Sequence, residues 1–165
     1  MKYIILFLTL LIASTCAPAP QGPLEIYKLK HPHPDVRNKQ HKDCFYCVPL
    51  KKDILYDEPL LVESDIADFD WKRQKIILTA SGKEKIKKLH IPMQGLAVAF
   101  VLEGEPVYAF WMWSKRSSYG CDRVYTYPRT DFMLGFGLPK GFEYGEDPRY
   151  DERLERYVRY KKWGS

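Results

Sequence analysis

The chain has 165 residues, 45% of them hydrophobic and 28% charged, with 26 Lys and Arg against 21 Asp and Glu for a net charge of +5. That length suits one domain and is short for two, and the balance of apolar and charged residues argues against disorder or a fibrous repeat. The positive excess is mild and scattered, so no nucleic-acid partner is expected. No internal apolar run reaches the roughly 18 residues of a membrane span, so a multi-pass membrane protein is not expected either.

Met1-Lys2 supplies a positive start, Tyr3 to Ile12 is almost unbroken apolar sequence, and small residues follow in Ala13-Ser14-Thr15 before Cys16. Residues 1–16 therefore read as a cleaved export signal rather than an anchor helix. Cys16 stands where bacterial lipoprotein signals place the thiol that is acylated and becomes the mature N-terminus. Ala13 and Thr15 depart from the Leu and the Gly, Ala or Ser preferred around that cysteine. The expectation is lipidation at Cys16 and a membrane-anchored protein of the cell envelope, with plain secretion as the alternative. Residues 17–43 carry prolines at 18, 20, 23, 32 and 34 among Lys, His and Asn. Proline fixes φ and lacks an N–H, so this stretch reads as an extended tether. His31 and His33 flank a proline within it, a pattern more often incidental than metal-binding.

His41-Lys-Asp-Cys44-Phe-Tyr-Cys47 is the most chemical-looking segment. A c-type haem attachment would need His after the second cysteine, where Val48 stands. A thioredoxin-like pair wants the first cysteine at a helix N-terminus after a buried strand, and no apolar strand precedes Cys44. Cys44, Cys47, Cys121 and a histidine have the ligand types for zinc, but a lone CxxC is weak support. In an oxidising compartment a structural disulfide is the plainer use. Cys44, Cys47 and Cys121 are the candidates, with a bridge from the CxxC to Cys121 and one within the CxxC as rivals that the sequence does not separate. Neither a metal nor a cofactor is expected.

Ala67, Phe69 and Trp71 alternate with Asp68 and Asp70, the period of a half-buried strand, and Ile76 to Thr79 returns as its hairpin partner. A helix over Lys83 to Leu89 follows, capped by Thr79 or Ser81, with Ile86 and Leu89 on its apolar side and Lys83, Lys85, Lys87 and Lys88 solvated. Leu96 to Leu102 and Val107 to Trp113 are apolar on both sides around a Gly104 turn, which predicts a central hairpin. Both sides must be covered, or one aromatic side is left open. A covered core is the favoured reading of two such strands; if one side is instead open, Tyr108, Phe110, Trp111 and Trp113 are the candidate partner surface. Ser117 and Ser118 lack any motif that would supply a base or oxyanion hole. Val124 to Tyr127 is a further short strand, and the glycine-rich 132–144 should be irregular. Asp147-Pro148 opens a terminal helix whose apolar stripe is Tyr150, Leu154, Tyr157 and Val158.

Asp65-Ile66, Ile77-Leu-Thr79, Gly82 with the lysine-rich helix, Gly95-Leu-Ala-Val98, Val101-Leu-Glu-Gly-Glu-Pro-Val-Tyr108 and Ser117-Ser118 together resemble the head subdomain of the large periplasmic domain of SecD/SecDF export proteins. The resemblance covers residues 60–128. It implies an α+β module that handles exported polypeptide and carries no catalytic residue, here without the transmembrane motor. The expected architecture is one α+β domain over 44–165: a small antiparallel sheet with one helix packed on a face and a C-terminal helix. The expected function is non-enzymatic binding of a protein or peptide. Alternatives are a glycan-binding module stacking sugars on Trp111, Trp113, Tyr119, Tyr125 and Tyr127, or a metal or redox protein using the cysteines.

Overall fold

A computed structural model describes residues 22–30 and 44–164; the export segment, Cys16, His31, His33 and His41 lie outside the described residues. The strands are β1 (Leu24–Leu29), β2 (Leu55–Leu61), β3 (Ile66–Asp70), β4 (Lys75–Leu78), β5 (Leu96–Leu102), β6 (Glu105–Met112), β7 (Cys121–Tyr127) and β8 (Asp131–Leu138). The helices are α1 (Ala80–Lys88) and α2 (Glu152–Tyr160), with short 3-10 turns at Lys52–Ile54, Glu63–Asp65 and Pro148–Tyr150. No helix among the described residues is long and apolar enough to cross a membrane.

The α+β class is as expected, but the sheet is larger than expected and not wholly antiparallel. Eight strands run in the order β2-β1-β5-β6-β7-β8-β4-β3. Only β6 and β7 are parallel, paired at Trp111 with Tyr125 and Met112 with Thr126. The link between them, residues 113–120, is too short for a helical crossover and runs back as irregular chain. The segment 60–128 is not a separate unit, because β1 pairs with β5 and β8 joins β7 to β4.

Two expectations about local structure are corrected. Residues 24–29 are not tether: Leu24, Ile26 and Leu29 of β1 are buried, and β1 lies between β2 and β5. The six-residue alternation within Leu24-Glu-Ile-Tyr-Lys-Leu29 stabilises a half-buried strand despite the surrounding prolines. The stretch 131–138 is likewise a strand, with Phe132 and Leu134 buried and Met133 exposed. Its Gly135 faces Tyr125 across the β7–β8 pair, where an added Cβ would stand 2.5 Å from the Tyr125 ring. The glycine makes room for an aromatic neighbour rather than breaking the strand.

The β5–β6 hairpin is the centre of the fold. Glu103 and Gly104, with φ of 55° and 76°, close a two-residue turn of the kind that matches strand twist, so β6 begins at Glu105. One face of the sheet holds the larger core. Phe100 stacks on Phe110 at 4.7 Å, and Ile86 of α1 and Leu154, Tyr157 and Val158 of α2 close over the same cluster. Tyr150, expected in that stripe, is 53% exposed, and Asp151 rather than Asp147 caps α2 by accepting from Arg153 N–H at 2.9 Å. Thr79 caps α1, accepting from Gly82 N–H at 3.3 Å.

Buried polar groups tie these layers together. The Tyr157 hydroxyl accepts from Leu24 N–H at 3.1 Å and donates to Glu63, which also receives Lys161. Asp65 takes Val62 N–H at 3.0 Å, Ser81 Oγ–H at 2.6 Å and Lys85 Nζ at 2.6 Å. Burial alone would raise the Asp65 carboxyl, but Lys85, Ser81 and Val62 outweigh it and hold it below the usual carboxylate range.

Candidate binding surface

The second face of the sheet is covered by the cysteine segment. Cys44 and Cys47 are joined to each other in a disulfide, and Cys121 is free and buried. Of the two rival pairings, the structure has the one within the CxxC. Cys121 donates its thiol toward the Arg123 carbonyl at 3.6 Å, and burial pushes that thiol up to about 12, which keeps it protonated and inert to exchange at neutral pH.

Asp122, the next residue along β7, fixes the loop. Its buried carboxylate accepts Phe45 N–H at 2.6 Å and Tyr46 N–H at 3.0 Å. Tyr46 is thereby pressed into the sheet, its ring edge-on to Trp111 at 5.0 Å and to Trp113 at 5.2 Å. The Trp111 indole N–H completes the clamp by donating to the Tyr46 carbonyl at 3.0 Å. Burial, with the neighbouring Cys121, Asp122 and Tyr119, pushes the Tyr46 phenol up to about 12, so it stays neutral.

This packing covers both sides of the hairpin, as favoured, and removes the open-side alternative. Tyr108, Phe110, Trp111 and Trp113 are 5%, 0%, 1% and 1% exposed, so all four are core. The sugar platform fails for the same reason: Trp111 and Trp113 are buried, Tyr125 and Tyr127 are half-buried, and only Tyr119 is exposed. Among the described residues no three His, Cys, Asp or Glu side chains are grouped to hold a metal ion.

What the clamp does expose is a different set of rings. Phe45, Tyr119, Phe142 and Tyr144 are 45%, 51%, 40% and 41% exposed. Phe45 stacks on Phe142 at 6.2 Å with the planes 18° apart. Phe142 lies over Gly120, where an added Cβ would stand 3.2 Å from its ring, and Tyr119 adjoins that glycine. Tyr144 N–H donates to the Asp122 carbonyl at 2.9 Å, and Arg123 holds the Tyr144 and Glu146 carbonyls. Every ring is thus attached to residues 119–123 or to the loop that Asp122 holds. Phe45 and Phe142 thus form an exposed stacked pair beside the disulfide, and Tyr119 and Tyr144 are exposed rings on backbone anchored to the same stretch of β7 and its approach.

The disulfide spans a separation of three residues, so it removes little chain entropy. Replacing both cysteines by alanine should lower unfolding free energy by about 2 kcal/mol, read from urea midpoints at unchanged slope. An unchanged midpoint would mean that Asp122 and Trp111 hold the loop without it.

Comparison with protein-family models, with curated proteins and with solved structures finds no match.

Proposed function

We propose that this chain is an exported, non-enzymatic binding domain of the cell envelope, tethered through Cys16, that takes a protein or peptide partner on the Phe45, Tyr119, Phe142 and Tyr144 face. The observation that carries the reading is that stacked, exposed aromatic pair on a rigidly clamped loop. Aromatic anchors with little conformational freedom to lose supply most of the energy of protein recognition. The Cys44–Cys47 disulfide is in keeping with an oxidising compartment, and hence with export. The resemblance of residues 60–128 to the SecD head supports an extended or unfolded polypeptide as the partner.

An unfolded probe, reduced and carboxymethylated α-lactalbumin, tests the reading in a fluorescence titration with the full chain. Saturable binding is expected, weakened at least about tenfold when Phe45 and Phe142 are both replaced by alanine. Tyr56→Ala and Tyr160→Ala, which remove rings 46% and 57% exposed elsewhere on the surface, should leave it unchanged. Equal losses in all variants would reduce the interaction to general stickiness and overturn the assignment.

A further inference from the structure

The aromatic rings Phe45, Tyr119, Phe142 and Tyr144 do not line a concave region that lies at one end of the central strands. Leu24 pairs with Leu102 at the end closed by the Gly104 turn. At the opposite end β5 begins and β6 and β7 finish, and there two adjoining depressions of about 630 Å3 and about 180 Å3 open to solvent. They share Ile91, Ser114, Arg116 and Arg129. Lys115 lines the smaller one, and neither has an Asp or Glu in its wall.

The two shared arginines differ in what they hold. Arg129 is already engaged, donating to the carbonyls of Ile86, Lys87 and Leu89 as α1 ends. It neutralises the negative end of that helix and fixes one wall. Arg116 pairs with no carboxylate among the described residues. Its backbone N–H donates to Ser114 Oγ at 3.3 Å, which leaves the Ser114 hydroxyl proton to be donated elsewhere. An uncompensated guanidinium in a concave wall without carboxylates is a field that attracts an anion, and its planar fork matches phosphate oxygens. Beside it Ile91, Pro92 and Met93 form an apolar strip, with Met93 43% exposed. Cation, hydroxyl and hydrocarbon therefore meet in one groove.

We propose that this groove binds a phosphate ester bearing an apolar group, with Arg116 and Ser114 on the phosphate and Ile91, Pro92 and Met93 against the hydrocarbon. The inference is independent of the polypeptide-binding reading, because none of Phe45, Tyr119, Phe142 and Tyr144 lines the groove. The ligand chemistry is shared by a soluble phosphoester and an anionic lipid headgroup.

Titration of the full chain with hexyl phosphate, inorganic phosphate and hexanol, followed by calorimetry, tests it. Hexyl phosphate should saturate one site and bind at least about tenfold tighter than inorganic phosphate, with no saturation by hexanol. Arg116→Gln should weaken hexyl phosphate at least about tenfold at an unchanged unfolding midpoint. Lys72→Gln, which removes an exposed cation in the β3–β4 turn, should change nothing. Failure of hexyl phosphate to saturate, or equal weakening by both substitutions, overturns the proposal. A second arm uses vesicles of phosphatidylglycerol against phosphatidylcholine. Phosphatidylglycerol binding that depends on Arg116 assigns the source to a headgroup, and hexyl phosphate binding without it assigns a soluble ester.

Discussion

Asp122→Ala should destabilise the protein by about 3 kcal/mol, the cost of removing a buried acceptor that holds two backbone donors, one of them buried. Asp122 is 2% exposed, and its carboxylate receives the N–H groups of both Phe45 and Tyr46. Those hydrogen bonds go to an ionised acceptor, the stronger kind. Removing the carboxylate also frees Tyr46, whose ring covers Trp111 and Trp113. Indole emission should therefore shift to the red in the variant even below its unfolding transition. Asp122→Asn keeps one acceptor oxygen and should lose less than half as much. A loss below about 0.5 kcal/mol for Asp122→Ala, within the range of ordinary surface changes, would mean that the loop is not held this way.

Gly95→Ala is the second large effect, expected at about 4 kcal/mol from two separable causes. Gly95 has φ of +87°, in the left-handed region that L side chains rarely adopt. Its Cβ would also stand 2.3 Å from Cζ3 and 2.6 Å from Cε3 of Trp113. Retreat of Trp113 is limited by Tyr46, packed on it at 5.2 Å, and by Trp111 at 6.4 Å. Gly141 supplies the comparison: its φ is +91°, but nothing lies within 4 Å of an added Cβ. Gly141→Ala should then cost only the backbone strain, about 1 kcal/mol. The difference between the two urea midpoints measures the clash, and equal losses would show that the indole is free to move.

How far the sequence anticipated this structure depends on whether each signal is local. The β5–β6 hairpin was legible because two apolar runs, Leu96 to Leu102 and Val107 to Trp113, flank a glycine turn. A covered centre was the favoured reading of strands with no polar side, but the identity of the cover was not legible. The cover comes from residues 44–47, and no periodicity connects Tyr46 with Trp111, 65 residues away. β1 was hidden by its setting: the alternation of Leu24 and Ile26 with Glu25 and Tyr27 was present, but prolines on either side suggested a spacer. β8 was hidden by reading Gly135 as a breaker rather than as space for Tyr125. The disulfide partner depends on three-dimensional proximity, which spacing alone does not report. The aromatic face is the least legible feature, because Phe45 and Phe142 are far apart in sequence and meet only through Asp122 and Gly120.

The hairpin aromatics Trp111 and Trp113 supply the floor on which the cysteine loop rests. Recognition is proposed one layer further out, on rings whose positions that floor determines. Stability and binding are thereby separable: Asp122 and Trp111 support the loop from beneath, while Phe45 and Phe142 can be changed at little cost to folding.

The most direct measurement places a photoreactive benzoylphenylalanine at position 45 of the full chain in cells and illuminates it, with position 56 as the control. The account predicts a covalent adduct with a polypeptide at position 45 and none at position 56. No adduct at position 45, or the same adducts at both positions, would contradict it.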